Sequence, residues 1–325
     1  MAGPEGDSRV CVVGSVNMDL VVRAARLPAP GETVSGGAYR TYPGGKGANQ
    51  AVASARMGAH TSFVACIGDD PHGVKVKAAL ESESLDLSRL MVRPGEATGL
   101  GLITVSEGGE NMIVVSPGAN ATMTEADLTG AQDAVITSHV LLLQLEIPGP
   151  VIIAAAKLAR AAGVAVILNA APARPLSQEL LRNVDVLVVN RVEATTLLGI
   201  EPNTDPGRLT LRLPELGPPA ILLTLGSQGS ILSYRGRPKR VPTPAVKAVD
   251  AVAAGDAFCG ALAANWRDVA AAAKARGPDE FKLVERAVLL ASAAGALATT
   301  KPGAIPSLPR RDEVERAAAD LRIGT

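Results

Sequence analysis

Aromatic residues are scarce in this chain of 325 residues, because phenylalanine, tryptophan and tyrosine together make up only 2% of it. Stacking platforms for single-stranded nucleic acid are built from aromatic side chains, so the scarcity argues against that function. An excess of charge is also missing, since 32 lysines and arginines balance 32 aspartates and glutamates. A neutral chain lacks the basic surface that binds nucleic acids or membrane surfaces. We therefore expect no nucleic-acid partner and no membrane partner.

Cysteines and long apolar runs are scarce as well. Cys11, Cys66 and Cys259 lie far apart in apolar surroundings, without the spacing of a metal or redox motif. No apolar run reaches the roughly 20 residues that a membrane-spanning helix needs, and the N-terminus shows no signal-peptide core. The sequence thus predicts a cytoplasmic protein with buried, reduced thiols.

Short apolar segments alternate with helical patterns through much of the chain, in which 47% of the residues are hydrophobic. The predicted strands include residues 140–145, 164–168, 184–189 and 220–225, and the predicted helices include 124–137, 150–162, 177–181, 193–198 and 256–274. Continuous apolar strands that alternate with helices predict a parallel sheet covered by helices on both faces. The chain is long enough for a sizeable core, and we expect one domain over residues 1–325.

Two strand-rich pieces, at about 15–43 and 97–117, do not fit this alternation. They predict a small β-sheet that acts as a lid on the larger body. In the first piece Asn17 and Asp19 alternate with apolar residues, so both side chains face one side of an extended strand. The lid would hold these two polar groups over the mouth of the larger sheet.

Polar residues recur where the predicted strands end, at Glu146, Asn169, Asn190 and Thr224. In open α/β sheets, ligands bind outside the carboxyl ends of the strands. The positions therefore predict a ligand cleft at this edge. Asn190 and Glu193 also match a capping box, which is a purely structural interpretation of the same pair.

Residues 249–262 place small residues and two acids directly before an alanine-rich helix pattern. A helix N-terminus presents free N–H groups to an anion, and Asp256 in its first turn could accept a proton from an attacking hydroxyl. These are parts of a phosphoryl-transfer site. On this stretch alone, however, a first-turn acid favoured by the helix dipole is the simpler interpretation.

Two common nucleotide-binding motifs are absent. Gly45 and Lys46 resemble the end of a P-loop, but Gly47 follows where serine or threonine is required, and Arg40 stands where the loop begins. No G-x-G-x-x-G follows a predicted strand. If the protein binds ATP, the helix start at residues 253–256 is the best candidate for its phosphates.

Seven motifs together resemble the ribokinases, within the phosphofructokinase-B type of sugar and nucleoside kinases. The two longest are Gly-Gly-Lys-Gly-Ala-Asn-Gln-Ala-Val-Ala at 44–53 and Asp-Ala-Val-Ala-Ala-Gly-Asp-Ala-Phe-Cys-Gly-Ala-Leu at 250–262. Shorter matches at 14–19, 30–33, 144–146, 190–193 and 224–229 keep the family order. The resemblance implies a ribokinase-like three-layer α/β/α sandwich with a mostly parallel central sheet and a small β-sheet lid. It also implies ATP-dependent phosphorylation of the 5-hydroxyl of D-ribose to ribose 5-phosphate.

The resemblance further implies a role for individual residues. Asp256 would be the general base, and the amides of Ala253, Ala254, Gly255 and Asp256 would form an anion hole. The sugar would be bound by Asn17, Asp19, Gly45, Lys46, Asn49, Glu146 and Asp256. ATP would be bound by Asn190, Glu193, Thr224, Gly226, Ser227, Gly229, Ala254 and Gly255, with Glu193 reaching Mg²⁺ indirectly. An activating K⁺ would be held by Asp250, Val252, Ala298, Lys301, Gly303 and Ser307.

Ala251 departs from the family pattern, which usually has threonine at this position. The threonine hydroxyl is therefore missing, and its loss bears on the geometry of the cation site and on the rate of the reaction. Two alternatives remain beside the ribokinase hypothesis, and Ala251 motivates the second of them. One is a kinase of a related substrate, namely deoxyribose, a ketohexose or a nucleoside. The other is a catalytically weakened sugar-binding relative. The resemblance also implies a homodimer through the lid, whose strand edges would otherwise be exposed.

Overall fold

The computed structural model describes residues 8–275, 277 and 279–321, so both ends of the predicted domain lie outside the described residues. The strands are β1 (Arg9–Val13), β2 (Asn17–Ala24), β3 (Arg40–Gly44), β4 (His60–Gly68), β5 (Leu85–Asp86), β6 (Leu90–Arg93), β7 (Gly99–Ser106), β8 (Asn111–Ser116), β9 (Val140–Leu143), β10 (Ala165–Asn169), β11 (Val186–Asn190), β12 (Ala220–Thr224), β13 (Ser230–Tyr234) and β14 (Arg237–Val241). The helices are α1 (Lys46–Arg56), α2 (Pro71–Glu81), α3 (Glu125–Gly130), α4 (Gln132–Ile136), α5 (Gly149–Ala161), α6 (Gln178–Leu181), α7 (Arg191–Leu198), α8 (Pro206–Arg212), α9 (Ala254–Ala264), α10 (Arg267–Ala275), α11 (Glu280–Ala298) and α12 (Arg311–Ala318).

The larger sheet has the strand order β14-β13-β12-β11-β10-β9-β1-β4-β5, and β6 pairs with β4. Its strands are parallel from β12 to β5, whereas β13 and β14 are added antiparallel. Every residue of β9 and β10 is buried. Alternate residues of β1 pack into two separate apolar clusters, one against α1, α9 and α11 and the other against α5. This arrangement confirms the predicted α/β/α layers with a mostly parallel central sheet.

A small separate sheet has the order β3-β2-β7-β8, and we refer to these four strands as the small sheet. Strand β2 pairs antiparallel with β3 and parallel with β7, and β7 and β8 form an antiparallel hairpin. The edge strand β8 is exposed along its whole length. The small sheet confirms that the two strand-rich pieces of the sequence belong together.

The structure differs from the sequence prediction in several elements. The predicted helix 124–137 is divided at Ala131 into α3 and α4, directly after Gly130, a poor helix former. The predicted helix 256–274 is likewise two helices, α9 and α10. Strands β5 and β6 were not predicted, because two- and four-residue strands carry too little periodic pattern.

Helix α9 is enclosed between α1 and α11, and small residues allow the close approach. A Cβ atom added at Gly260 would lie 2.5 Å from the Cβ of Ala53 and 2.6 Å from the carbonyl oxygen of Gln50. A Cβ at Gly295 of α11 would lie 3.1 Å from the carbonyl oxygen of Ala254. This crossing brings the first turn of α9 beside Asn49 and Gln50 of α1.

Candidate active site

Asp256 is a buried acid in the first turn of α9, with 7% of its surface exposed. Asn49 Nδ2 donates to its Oδ2 at 2.9 Å, and Gln50 Nε2 donates to its Oδ1 at 2.9 Å. Burial raises the pKa of Asp256 above its ordinary value, whereas Lys46 and the two amide donors act in the opposite direction. The structure therefore holds a proton acceptor of increased proton affinity in a fixed orientation.

The start of α9 has an unusual backbone. Ala253 precedes the helix in the left-handed region, with φ 60° and ψ 6°, which is uncommon for a residue other than glycine. Such strain clusters at functional sites. The amide of Ala254 donates to the Ala251 carbonyl at 3.3 Å. Helix geometry leaves the next first-turn amides, those of Gly255 and Asp256, without an intrahelical acceptor.

The start of α1 lies against the connection between β1 and β2. Gly45 precedes the helix with φ 88°, and a Cβ there would lie 2.7 Å from the amide nitrogen of Asn17. Glu146 Oε2 accepts from the Lys46 amide at 3.1 Å and from Ser15 Oγ at 2.6 Å. Glu146 therefore fixes the start of α1, and α5 begins after Pro148 without a side-chain cap.

The Lys46 side chain lies among several carboxyl groups. Burial by itself would lower the pKa of Lys46, but the charges of Asp256, Glu146 and Glu193 raise it above its ordinary value. Lys46 is therefore a cation at neutral pH. It is positioned to offset the negative charge that these acids concentrate between the two sheets.

The two polar residues of β2 face glycine-lined space. Asn17 is buried, and its Oδ1 accepts from Asn120 Nδ2 at 2.8 Å. A Cβ at Gly44 or Gly101 would collide with the Asp19 carboxylate, so only glycine leaves room for it. Burial raises the pKa of Asp19 to about 7, and the charges of Glu146 and Asp256 add to this effect while Lys46 opposes it. Asp19 also lines a cleft of about 560 Å³ that reaches the loop at 248–252.

Some of the predicted nucleotide residues lie at a second cleft, of about 410 Å³, at the ends of β11 and β12, whereas Glu193, Ala254 and Gly255 are not among its lining residues. Asn190, Thr224 and Ser227 line it, and Gly226 and Gly229 lie in the turn that follows β12. Asn190 and Glu193 form the capping box reciprocally, because the Asn190 amide donates to Glu193 Oε2 at 2.7 Å and the Glu193 amide donates to Asn190 Oδ1 at 2.9 Å. Burial nevertheless raises the pKa of Glu193. The hydrogen bond from the Asn190 amide and the charge of Lys46 lower this pKa, but they offset the effect of burial only in part.

The predicted cation ligands meet in one loop region. Asp250 Oδ1 accepts from the Val252 amide at 3.0 Å, and its Oδ2 accepts from the Gly303 amide at 3.1 Å. Ser307 Oγ donates to the Ala304 carbonyl at 2.8 Å. Two predicted ligands could take part only through their backbone oxygens: Ala298, which ends α11, and Lys301, whose ammonium lies 3.5 Å from Glu313. Within the described ranges, no group of three or more histidine, cysteine or acidic side chains could hold a metal.

Four polar residues of the site were not assigned from the sequence: Ser15, Gln50, Asn120 and Gln144. Ser15 bonds Glu146, Asn120 bonds Asn17, and Gln50 bonds both Asp256 and Gln144. The available signal was polarity inside an apolar pattern, because a buried polar side chain requires a partner.

These features fit a small-molecule kinase, since phosphoryl transfer needs positioned groups and donors aimed at developing negative charge. A family model described as pfkB family carbohydrate kinase matches residues 7–311. A ribokinase of Haemophilus influenzae is 36% identical over 304 residues, which cover 93% of this chain and 95% of that relative. No helix in the described part of the chain is long and apolar enough to cross a membrane.

Solved structures agree with the sequence comparison. The ribokinase of Thermotoga maritima superposes with a TM-score of 0.81 at 32% identity, covering 97% of this chain and 100% of its own. The ribokinase of Arabidopsis thaliana, solved with ribose and ATP, gives a TM-score of 0.81 at 33% identity and covers 96% of this chain and 98% of its own. The chain therefore belongs to the pfkB family of carbohydrate kinases, and within it to the ribokinase group. This confirms the resemblance seen in the sequence motifs.

Proposed function

We propose that this protein is an ATP-dependent ribokinase, which phosphorylates the 5-hydroxyl of D-ribose and releases ribose 5-phosphate and ADP. One observation carries the proposal. Asp256 is a buried acid at a helix N-terminus, held by Asn49 and Gln50, and near enough to Asp19 of the small sheet for their charges to interact. The likeness to the ribokinase solved with ribose and ATP supports the same substrates.

The sugar is bound between the small sheet and α1. A neutral polyol is best held by carboxylates and amides, which accept and donate hydrogen bonds. Asn49 supports this proposal, because its Oδ1 is buried and has no hydrogen-bond partner among the described residues while its Nδ2 bonds Asp256. That oxygen can accept from a sugar hydroxyl. The proposed sugar site consists of Asn17, Asp19, Gly45, Lys46, Asn49, Glu146 and Asp256.

The transfer step uses Asp256 as general base. Asp256 accepts the proton of the 5-hydroxyl, whose oxygen forms a bond to the γ-phosphorus of ATP. The bond from that phosphorus to the β,γ-bridging oxygen breaks, and ADP leaves with the electron pair. A carboxylate of raised pKa is a better base near neutral pH than an exposed one. The amides of residues 253–256 stabilise the negative charge on the transferring phosphoryl group.

ATP lies along the second cleft and reaches the start of α9. We assign its binding to Asn190, Glu193, Thr224, Gly226, Ser227, Gly229, Ala254 and Gly255. Glu193 offers the oxygen ligands that Mg²⁺ prefers, but both its oxygens already accept from Asn190, which fits contact with Mg²⁺ through water rather than directly. Bound there, Mg²⁺ would neutralise phosphate charge. Activity that persists in excess EDTA would contradict this assignment.

The loop around Asp250 fits K⁺, because it combines a carboxylate with backbone carbonyls, which are hard oxygen ligands. We assign K⁺ to Asp250, Val252, Ala298, Lys301, Gly303 and the Ser307 hydroxyl. Bound K⁺ would supply positive charge beside the anion hole. Initial rates measured against KCl test this site, and Asp250→Asn should need at least about tenfold more K⁺ because it loses a charge. An unchanged KCl dependence would contradict it, and Asp268→Asn, an exposed acid on α10, serves as the control.

The small sheet also bears on the quaternary structure. We propose that residues 1–325 form one domain and that the protein acts in the cytoplasm as a homodimer through the small sheet. Strand β8 supports the dimer, because four consecutive apolar residues, Met112 to Val115, are between 44% and 64% exposed.

A substrate panel tests the proposed function. The wild-type protein is assayed for ADP release with D-ribose, deoxyribose, a ketohexose and a nucleoside, in ample Mg²⁺ and K⁺, and the product is identified by ³¹P NMR. We expect D-ribose to give the highest kcat/KM and ribose 5-phosphate as the product. A higher kcat/KM for another substrate would replace ribose. Ribose binding in calorimetry without ADP release would instead indicate the weakened relative that Ala251 suggests.

A further inference from the structure

Gln50 lies behind the proposed catalytic base and is completely buried in α1. Its Nε2 donates to Asp256 Oδ1 at 2.9 Å and to Asn169 Oδ1 at 3.0 Å. Its Oε1 accepts from Gln144 Nε2 at 2.7 Å. Gln144 follows β9 and Asn169 ends β10, so the amide chain connects the base to the carboxyl ends of two central strands.

The hydrogen bonds allow the Gln50 amide only one orientation. A carboxylate can only accept, so the NH₂ end of Gln50 must face Asp256. Gln144 donates to the opposite end, and Asn169 Nδ2 points to the Val188 carbonyl at 3.5 Å, which leaves Asn169 Oδ1 facing Gln50. If the Gln50 amide were reversed, its oxygen would face the oxygens of Asp256 and Asn169, and its NH₂ group would face the NH₂ group of Gln144. All three hydrogen bonds would then be lost.

The side-chain amide of Gln144 also lies in a narrow buried space. Its Oε1 is buried and has no hydrogen-bond partner among the described residues. A Cβ at Gly14 would collide with this oxygen, so the glycine after β1 leaves the room that the amide occupies. The sheet thus fixes Gln144, and Gln144 fixes Gln50.

We propose that Gln50 is a positioning residue for Asp256, and that Gln144 and Asn169 lock its amide so that Nε2 always faces the carboxylate. The proposal rests on the role of Asp256 as base. It assigns the bond at Asp256 Oδ1 to Gln50, and the bond at Oδ2 belongs to Asn49, the sugar-side residue. Gln50 thereby fixes Oδ1 on the side away from the sugar, while Oδ2 remains on the sugar side with Asn49.

The donor also sets the proton affinity of the base. A hydrogen bond to the ionised form lowers the pKa, so Gln50 opposes the effect of burial on Asp256. The titratable groups that face Asp256 from the surrounding elements remain unchanged when only Gln50 is replaced; they are Lys46 of α1, Asp19 of β2, Glu146 after β9, Glu193 of α7 and Cys259 of α9. Removing the Gln50 donor should therefore raise the pKa of Asp256 further and release its rotation.

The test measures this titration directly and without substrate. Protein labelled with ¹³Cγ-aspartate is titrated by NMR, and Asp256→Asn assigns the resonance. In Gln50→Met, an apolar side chain of similar shape, the pKa of Asp256 should rise by about one to two units. In Gln144→Met the shift should have the same direction and a smaller size. Ser54→Ala, a buried polar change on the same helix, should leave the titration unchanged.

Kinetics supply the second measurement. In Gln50→Met the acidic limb of the kcat/KM pH profile should shift to higher pH, by the same amount as the pKa of Asp256 measured by NMR. An Asp256 titration identical to wild type in Gln50→Met would overturn the proposal. If that variant does not fold, the same titration in Gln144→Met decides. Full activity of Asp256→Asn would refute the base while the NMR titration still reports on Gln50, so the two failures are distinguishable.

Discussion

At the scale of single residues, the site concentrates acids around one cation. Burial and neighbouring charges, among them that of Glu146, shift the pKa values of Asp19, Lys46, Glu193 and Asp256. Removal of these groups from water disfavours their ionised forms. In the proposed function these groups bind hydroxyls and accept a proton, which accounts for the unfavourable arrangement.

Asp19 should therefore destabilise the ligand-free protein at high pH. The ordinary pKa of an aspartate is 3.8, whereas that of Asp19 in the folded protein is about 7. Between these two pH values the folded protein therefore binds more protons than the unfolded chain. The free energy of unfolding then falls as pH rises through that window. We expect Asp19→Asn to raise the melting temperature of the ligand-free protein, more at pH 8 than at pH 5, and to weaken ribose binding. The exposed Glu110→Gln is the control, and an equal or absent gain at both pH values would refute the argument.

The sequence predicted Asp256, Lys46, Asn17 and Asp19 as site residues because family motifs are local. It did not identify the partner of Asp256, since Gln50 is 206 residues away along the chain. Ser15 and Glu146 are likewise 131 residues apart. Such pairs arise only when the sheet order is fixed, and no local pattern of polarity specifies them.

At the scale of elements, the site depends on the crossing of α9 with α1. Nine of the eleven residues of α9 are buried, so this helix packs against its neighbours on nearly all sides. This packing fixes the position of Asp256 along the helix axis relative to Asn49 and Gln50. Periodicity predicted the start of α9, but not its end at Ala264. The end of an amphipathic helix is recognised in the sequence where the alternation of apolar and polar faces stops. A helix that is buried on all sides has no polar face and therefore lacks this signal.

Gly260 is the contact point of this crossing. In Gly260→Ala the new Cβ would press on the Gln50 backbone and on Ala53, and overpacking of this kind costs about 1–3 kcal/mol. We expect a lower midpoint in chemical denaturation together with reduced kcat, because α1 moves relative to α9. Gly130→Ala, at the end of α3 with nothing within 4 Å of the new Cβ, should be neutral or stabilising. Equal stabilities of the two variants would show that the crossing tolerates an extra atom.

At the scale of the whole molecule, the sequence predicted both sheets. Continuous apolar strands indicated the parallel sheet, and the two strand-rich pieces indicated the small sheet, because buried and half-exposed strands carry different patterns. The sheet order and the addition of β5 and β6 at one edge were not accessible, since they depend on contacts between distant segments. The small sheet also leaves its edge strand β8 without a cover in the single chain.

This exposed edge should be the dimer contact. Val114→Lys adds a charge where the side chain is 64% exposed in the single chain and buried in the proposed dimer. Light scattering should then give a dimer for wild type and a monomer for Val114→Lys. Leu211→Lys, at an equally apolar and 78% exposed position on α8, should remain dimeric. A wild-type monomer at micromolar concentration would refute the dimer.

The most direct test of the central claim compares Asp256→Asn with wild type in ribose phosphorylation. The variant keeps an acceptor and nearly the same shape but cannot take the hydroxyl proton. We predict that kcat falls by about 10²–10⁴-fold, as expected for the loss of a general base, while calorimetry shows ribose binding within severalfold of wild type. Asp268→Asn, an exposed acid on α10, should keep full activity. A kcat of Asp256→Asn equal to that of wild type would contradict the assignment of Asp256 as the base.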